Sequence, residues 1–152
     1  MLFSIIIPTY NREKLIGLAI NSVINQSFID WELIIIDDGS TDKTKEVVKP
    51  YLKDKRVKYF FQKNAERSSA RNNGISKSIG KYICFLDSDD TYLNNHLHDF
   101  HDLINKSKNE FLFSLKIGDK YIHRENKFDQ VFLSDIHSQQ VCIKRHLLEK
   151  NN

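Results

Sequence analysis

The chain has 152 residues, 40% hydrophobic and 28% charged, with a formal net charge of +3. That length supports one domain with its own core, and the composition excludes a disordered or collagen-like chain. The charge is too mild to argue for a nucleic-acid partner, which needs clustered basic residues.

Residues 3–7 are an apolar run interrupted only by Ser4, read as a buried strand that Pro8 ends. Asn11 is placed to cap a helix over 12–26, where Leu15, Ile16, Ala19, Ile20, Val23 and Ile24 recur on one face. Residues 27–31 form a turn anchored by Trp31, and 32–36 form a second buried strand. Gly39 then permits a sharp turn, and Thr41 or Asp42 starts a helix that Pro50 breaks or kinks. A third strand, 57–61, is more exposed because it carries Lys58. After a polar loop over 63–69, Ser68 or Ser69 caps a mostly polar helix over 70–79 with few apolar contacts (Ala70, Ile75, Ile79), ended by Gly80.

Residues 82–86 form a fourth buried strand that stops at Asp87, Asp89 and Asp90. A helix follows over 95–106, with Leu97, Phe100, Leu103 and Ile104 inward. Strands are expected at 111–115 and 140–143 and a helix from Lys144; the polar span 116–137 is not placed. Alternating strands and helices predict an α/β fold, a three-layer and mostly parallel sheet. Cys84 and Cys142 each sit in an apolar run, away from another Cys or His at metal-ligand spacing, and read as buried thiols of a reducing compartment. No apolar run approaches the ~20 residues of a membrane span, and the first residues read as no signal peptide. A cytoplasmic chain is expected, able to act at the inner face of a membrane as a peripheral protein.

Buried strands do not tolerate unpaired carboxylates, so Asp87 and Asp89 are placed beyond a strand end, where open α/β sheets bind ligands. Two positions apart in extended backbone, they point the same way and invite Mg²⁺ or Mn²⁺ with phosphate oxygens completing the shell. Asp90 reads instead as a cap of the next helix. Pro8-Thr9-Tyr10-Asn11 and Asp37-Asp38-Gly39-Ser40 end two other strands, so all these groups share one sheet edge. A ring, an acid and a cation together suit a nucleoside diphosphate. The sequence has neither a G-x-G-x-x-G after its first strand nor a G-x-x-x-x-G-K-[ST], which disfavours a nicotinamide Rossmann site and a P-loop.

Residues 4–11, 22–28, 31–42, 70–72 and 85–90 resemble, in order and spacing, the family-2 inverting glycosyltransferases of the GT-A fold. The resemblance covers about residues 2–97, the nucleotide-sugar-binding part of a single domain over 1–152. Residues 98–152 then begin an incomplete acceptor-side part. It implies a nucleotide-sugar donor, commonly UDP-linked, and a divalent metal. It also implies inversion at the anomeric carbon and a glycan or lipid-linked acceptor, as in polysaccharide biosynthesis. Tyr10 would lie against the base, with Thr9 lining the same pocket, and Asp38 would accept the uracil N3–H. Asp37 would be either a second site acid or a turn residue. Arg71 would face the diphosphate, and Ser88 would belong to the nucleotide site. Asp89 would be the principal metal ligand, with Asp87 on the ribose or a water of the metal.

In this family the acid that deprotonates the acceptor follows the segment that 140–150 resembles, and no Glu-Asp pair follows Asp90. Asp129, Asp135 and His137 are the candidate stand-ins. Two readings therefore stand: a glycosyltransferase, or a sugar-nucleotide-binding module without its catalytic base, which a partner or further chain would complete. A phospho-accepting receiver domain is disfavoured, because receivers need an acid pair on the first strand and this one ends in Pro8-Thr9.

Overall fold

The computed structural model describes residues 1–106, 111–117, 120–124 and 141–149. In chain order the elements are β1 (Phe3–Thr9), α1 (Ile16–Ile24), β2 (Trp31–Asp37), α2 (Thr44–Val48), a 3₁₀ turn (Lys49–Lys53), β3 (Val57–Phe61) and α3 (Glu66–Lys77). There follow β4 (Tyr82–Phe85), α4 (His96–Lys106), β5 (Phe111–Ile117), β6 (Lys120–Arg124), β7 (Val141–Lys144) and α5 (Arg145–Glu149). The strands form one sheet in the order β3-β2-β1-β4-β7-β5-β6. β1 pairs in parallel with β2 and β4, and β2 with β3. The β4–β7, β5–β7 and β5–β6 pairs are antiparallel. The expected mostly parallel α/β sheet is thus present, extended on one side by antiparallel strands.

Period-two alternation sorts the central strands between two cores. Phe3, Ile5, Ile7, Leu33, Ile35, Tyr82 and Cys84 pack with α1 residues Ile16, Ile20 and Val23 and α4 residues Leu97 and Phe100. Ile6, Ile34, Ile36 and Ile83 face the other way, onto Ala70 of α3. Helices on both faces make the three layers. α3 lies close to β1 because Gly74 carries no side chain; a Cβ there would collide with Cγ2 of Ile6. Where the second face runs out of helix, Ser4 donates to Glu32 at 2.6 Å and Lys58 pairs with the same carboxylate at 2.9 Å. This lets a strand carry a fully buried acid.

Several local expectations are corrected. Pro8 does not end β1, which pairs on through Thr9↔Asp37. Ile6 offers its carbonyl to Leu86 on the β4 side, so the ring nitrogen of Pro8, two residues on, faces the side where β4 has already ended. Asn11 caps no helix: α1 begins at Ile16 with Leu15 as its N-cap. α3 begins at Glu66 rather than Ala70 and stops at Lys77. Ile79 is accordingly exposed, and Gly80 donates its N–H to Ser4 Oγ at 2.8 Å instead of closing the helix. Asp90 is no helix cap, since α4 starts at His96; its N–H closes a turn onto the carbonyl of Asp87 at 3.1 Å. The break at Pro50, the bounds of β3 and its partial exposure are as expected.

Cys84 and Cys142 lie opposite one another across β4 and β7, both buried and free. Burial, and then contact with Cys84, pushes the Cys142 thiol well above its usual range. No helix among the described residues is long and apolar enough to cross a membrane.

Candidate functional site

The strand ends of β1, β2 and β4 and the start of α3 surround a cleft of about 260 Å³. Thr9, Tyr10, Asp38 and Ser88 line it, as do Arg12, Asn64, Glu66 and Arg67. Among the described residues, those with left-handed backbone, Asn11 (φ 51°), Gly39 (φ 84°) and Glu66 (φ 73°), all lie at this sheet edge. Strain of this kind survives where the surroundings hold it and a site uses it.

The floor of the site is two loops knitted together. Asn11 donates its N–H to Ser40 Oγ at 2.9 Å, and its Oδ1 accepts from the N–H of Thr41 at 2.8 Å. Arg12 N–H donates to Thr44 Oγ1 at 2.9 Å. Asp42 accepts from the N–H groups of Glu13 and Thr44, each at 3.0 Å. Burial alone would raise the Asp42 pKa, but these bonds and the Thr44 hydroxyl outweigh it and hold the carboxyl below its ordinary range. Asn11 therefore ties the β1–α1 loop, which follows Tyr10, to the β2–α2 loop, which carries Asp38.

The adjacent acids of that turn have different tasks. Asp37 is buried, and its oxygens are taken by the N–H of Ser40 at 2.8 Å and the hydroxyl of Tyr59 at 2.5 Å. Burial, then the bond to Asp37, pushes the Tyr59 phenol far above its ordinary range. Asp37 is thus the turn residue. Asp38 lines the cleft; its Oδ1 accepts from Gln62 Nε2 at 2.7 Å and from the N–H of Ala65 at 2.9 Å. Asn73 of α3 in turn donates to Gln62 at 2.7 Å. A chain of bonds from α3 therefore aims one carboxylate into the cleft. Tyr10 is half-exposed beside it, and the hydroxyl of Thr9 is buried with no hydrogen-bond partner among the described residues.

Asp87 and Asp89 meet different partners. The backbone turns at Ser88 and Asp89, so the extended spacing fails. Asp87 is drawn to α3, 2.9 Å from Arg71 Nη2 and 3.7 Å from Arg67 Nη1. Asp89 stands 3.7 Å from Arg12 Nη2. Arg71 also lies over the Phe85 ring, 5.5 Å from its centroid. Neither acid nor Arg71 lines the cleft itself; Asp89 sits one side chain behind Arg12 and Asp87 one behind Arg67, which do, and Arg71 lies behind Asp87.

No group of three or more His, Cys, Asp or Glu among the described residues could hold a metal by itself. Two carboxylates with oxygen-only chemistry still fit a hard cation that keeps waters and takes phosphate oxygens. The buried, unpartnered hydroxyl of Thr9 lines the cleft and fits a polar ligand there. Asp129, Asp135 and His137 lie outside the described residues.

Arg12, Glu66, Arg67, Gln62 and Tyr59 were not assigned roles from sequence. Had α3 been started at Glu66, Arg67 and Arg71 would have stood one turn apart on a single face, pointing at the acids. Nothing local marks Tyr59 or Gln62; only β2–β3 pairing brings them to Asp37 and Asp38.

The profile of the family "Glycosyl transferase family 2" matches residues 4–131. An uncharacterized glycosyltransferase of Rickettsia bellii is 49% identical over 111 residues, 73% of this chain and 16% of that protein. A GalNAc(5)-diNAcBac-PP-undecaprenol beta-1,3-glucosyltransferase of Campylobacter jejuni is 43% identical over 97 residues, 62% of this chain and 31% of that protein. Among solved structures, Staphylococcus aureus TarS 1–349 superposes with a TM-score of 0.80 at 28% identity, over 99% of this chain and 49% of that one. TarS has also been solved with UDP and with UDP-GlcNAc. This chain thus spans less than half the length of each of these relatives. With a matching profile over most of its length and the GT-A sheet of TarS, the chain belongs to glycosyl transferase family 2.

Proposed function

We propose that the chain is the donor-binding part of an inverting glycosyltransferase that uses a UDP-linked sugar, with a glycan or lipid-linked saccharide as acceptor. The observation that carries this reading is Asp38, a carboxylate buried at the cleft and aimed by Gln62 and the N–H of Ala65 beside the half-exposed ring of Tyr10. A uracil stacked on Tyr10 would present its N3–H to Asp38, and Thr9 would give its unpartnered hydroxyl to the same ligand. Arg71 and Arg67 would hold the diphosphate, for which a guanidinium fork is suited. Asp89, with Asp87, would hold Mg²⁺ or Mn²⁺, which when bound neutralises charge on the departing diphosphate. In the single displacement an acceptor hydroxyl oxygen bonds the anomeric carbon as the bond from that carbon to the phosphate oxygen breaks. UDP leaves with the electron pair, and a base takes the hydroxyl proton. The complexes of TarS with UDP and UDP-GlcNAc support the choice of donor.

The test is calorimetric titration of UDP, UDP-GlcNAc and GDP into the purified chain, with and without Mn²⁺. UDP is expected to bind more tightly than GDP. Asp38→Ala is expected to weaken uridine and UDP alike, by roughly 10- to 100-fold, the loss of a hydrogen bond to a charged group. Absence of UDP binding at millimolar concentration with Mn²⁺ would refute the proposal.

A further inference from the structure

The acids assigned to the cation already carry counter-ions. Arg12 stands 3.7 Å from Asp89, and Arg67 and Arg71 stand 3.7 and 2.9 Å from Asp87. Arg12 and Arg67 are also walls of the cleft. Each therefore reaches an acid on one side and the space assigned to the nucleotide on the other. Arg12 and Asp89 are about 40% exposed, so their pair is soft and can be exchanged at small cost. A carboxylate already neutralised by a guanidinium attracts a divalent cation less than a free one does, by simple Coulomb competition. A diphosphate in the cleft offers the arginines a better partner, because phosphate oxygens accept two guanidinium bonds side by side.

We infer that Arg12 is a positioning residue that guards Asp89 in the free protein and passes to the nucleotide diphosphate on binding, so that cation and nucleotide binding are mutually dependent. Arg67 does the same for Asp87, with less leverage because Arg71, at 2.9 Å, already neutralises that acid more closely. The inference rests on the functional reading above. It adds a feature the assignment of ligands does not contain: removal of a positive charge that lines the nucleotide cleft strengthens cation binding. By linkage, the factor by which UDP tightens the cation equals the factor by which the cation tightens UDP.

The experiment is Mn²⁺ titration of the full 152-residue chain followed by the electron paramagnetic resonance signal of free Mn²⁺, with and without UDP and corrected for Mn²⁺ held by UDP alone. The wild type, Arg12→Gln, Arg12→Lys and Arg67→Gln are compared, with unfolding midpoints in EDTA to show that each is folded. Arg12→Gln is expected to bind Mn²⁺ alone about 3- to 10-fold more tightly than wild type, in the range of ordinary coupling between sites. Arg12→Lys retains the charge and is expected to stay near wild type; Arg67→Gln is expected to tighten Mn²⁺ by a smaller factor. UDP is expected to tighten Mn²⁺ in the wild type by about tenfold or more, and by less in Arg12→Gln. Unchanged or weaker Mn²⁺ binding in Arg12→Gln, while wild type still takes up Mn²⁺ and UDP, overturns this inference and leaves the donor site standing. Failure of wild type to bind UDP at all overturns both.

Discussion

Arg71 donates from Nη2 to Asp87 at 2.9 Å while its Nε, buried beneath, meets no acceptor among the described residues. Arg71 thereby helps to hold Asp87, whose other partner, Arg67, lines the cleft assigned to the diphosphate. Arg71→Ala is therefore expected to weaken UDP by roughly 10- to 100-fold while leaving uridine within about twofold, since uridine has no phosphate. Paired titrations of the two ligands check this, and equal losses for both would move Arg71 out of the phosphate site.

Tyr59 tests the support of the Asp37-Asp38-Gly39 turn. Its hydroxyl is the donor to one oxygen of the buried Asp37. Tyr59→Phe leaves that oxygen unsatisfied and is expected to cost about 1–3 kcal/mol in urea unfolding. The pH dependence has a definite sign. The folded phenol holds its proton above the ordinary value of 10.0, so the folded state binds more protons than the unfolded one in alkali. Stability from this contact is complete below about pH 10 and lost as pH rises beyond it. Tyr59→Phe should lack that alkaline loss.

Glu32 makes the opposite prediction in acid. Burial raises its pKa, but bonds from Ser4, the N–H of Ile79 and Lys58 more than offset this and leave it below its ordinary value of 4.5. A depressed carboxyl contributes stability above its unfolded pKa and loses it as pH falls through the folded one. Glu32→Gln is expected to be less stable at pH 7 by about 1–3 kcal/mol, because the Lys58 ion pair is lost. The difference from wild type should shrink below about pH 4. Denaturant melts at pH 7 and pH 3 measure both; a constant difference would show that the charge of Glu32 is irrelevant.

Glu66 has a left-handed backbone (φ 73°) at the first position of α3, on the cleft wall. Glycine takes this conformation without the steric cost of a Cβ. Glu66→Gly is expected to raise stability by about 1 kcal/mol, the lower end of such strain. Loss of stability in a thermal melt would mean that the Glu66 side chain makes a contact worth more than the strain.

Strand after strand was legible in the sequence because a strand buried on both faces is dominated by apolar residues, as 3–7, 32–36 and 82–86 are; the exceptions, Ser4 and Glu32, satisfy one another. The break at Pro50 and the turn at Gly39 were legible too, each following from one residue's allowed backbone. So was the meeting of Tyr10, Asp38 and Asp87 at one sheet edge, since parallel order alone puts strand ends together. The start of α3 was misread because Ala65 and Glu66 carry no capping signal; the helix is anchored there by the bond from Ala65 to Asp38, 27 positions away. The division of labour between Asp37 and Asp38 was likewise open until β3 delivered Tyr59 to one and Gln62 to the other. The different partners of Asp87 and Asp89 belong wholly to the tertiary structure. Once β4 ends, the backbone bond from Asp90 to Asp87 and the three arginines from two other segments set where those carboxylates go, and a two-residue spacing carries no information about either.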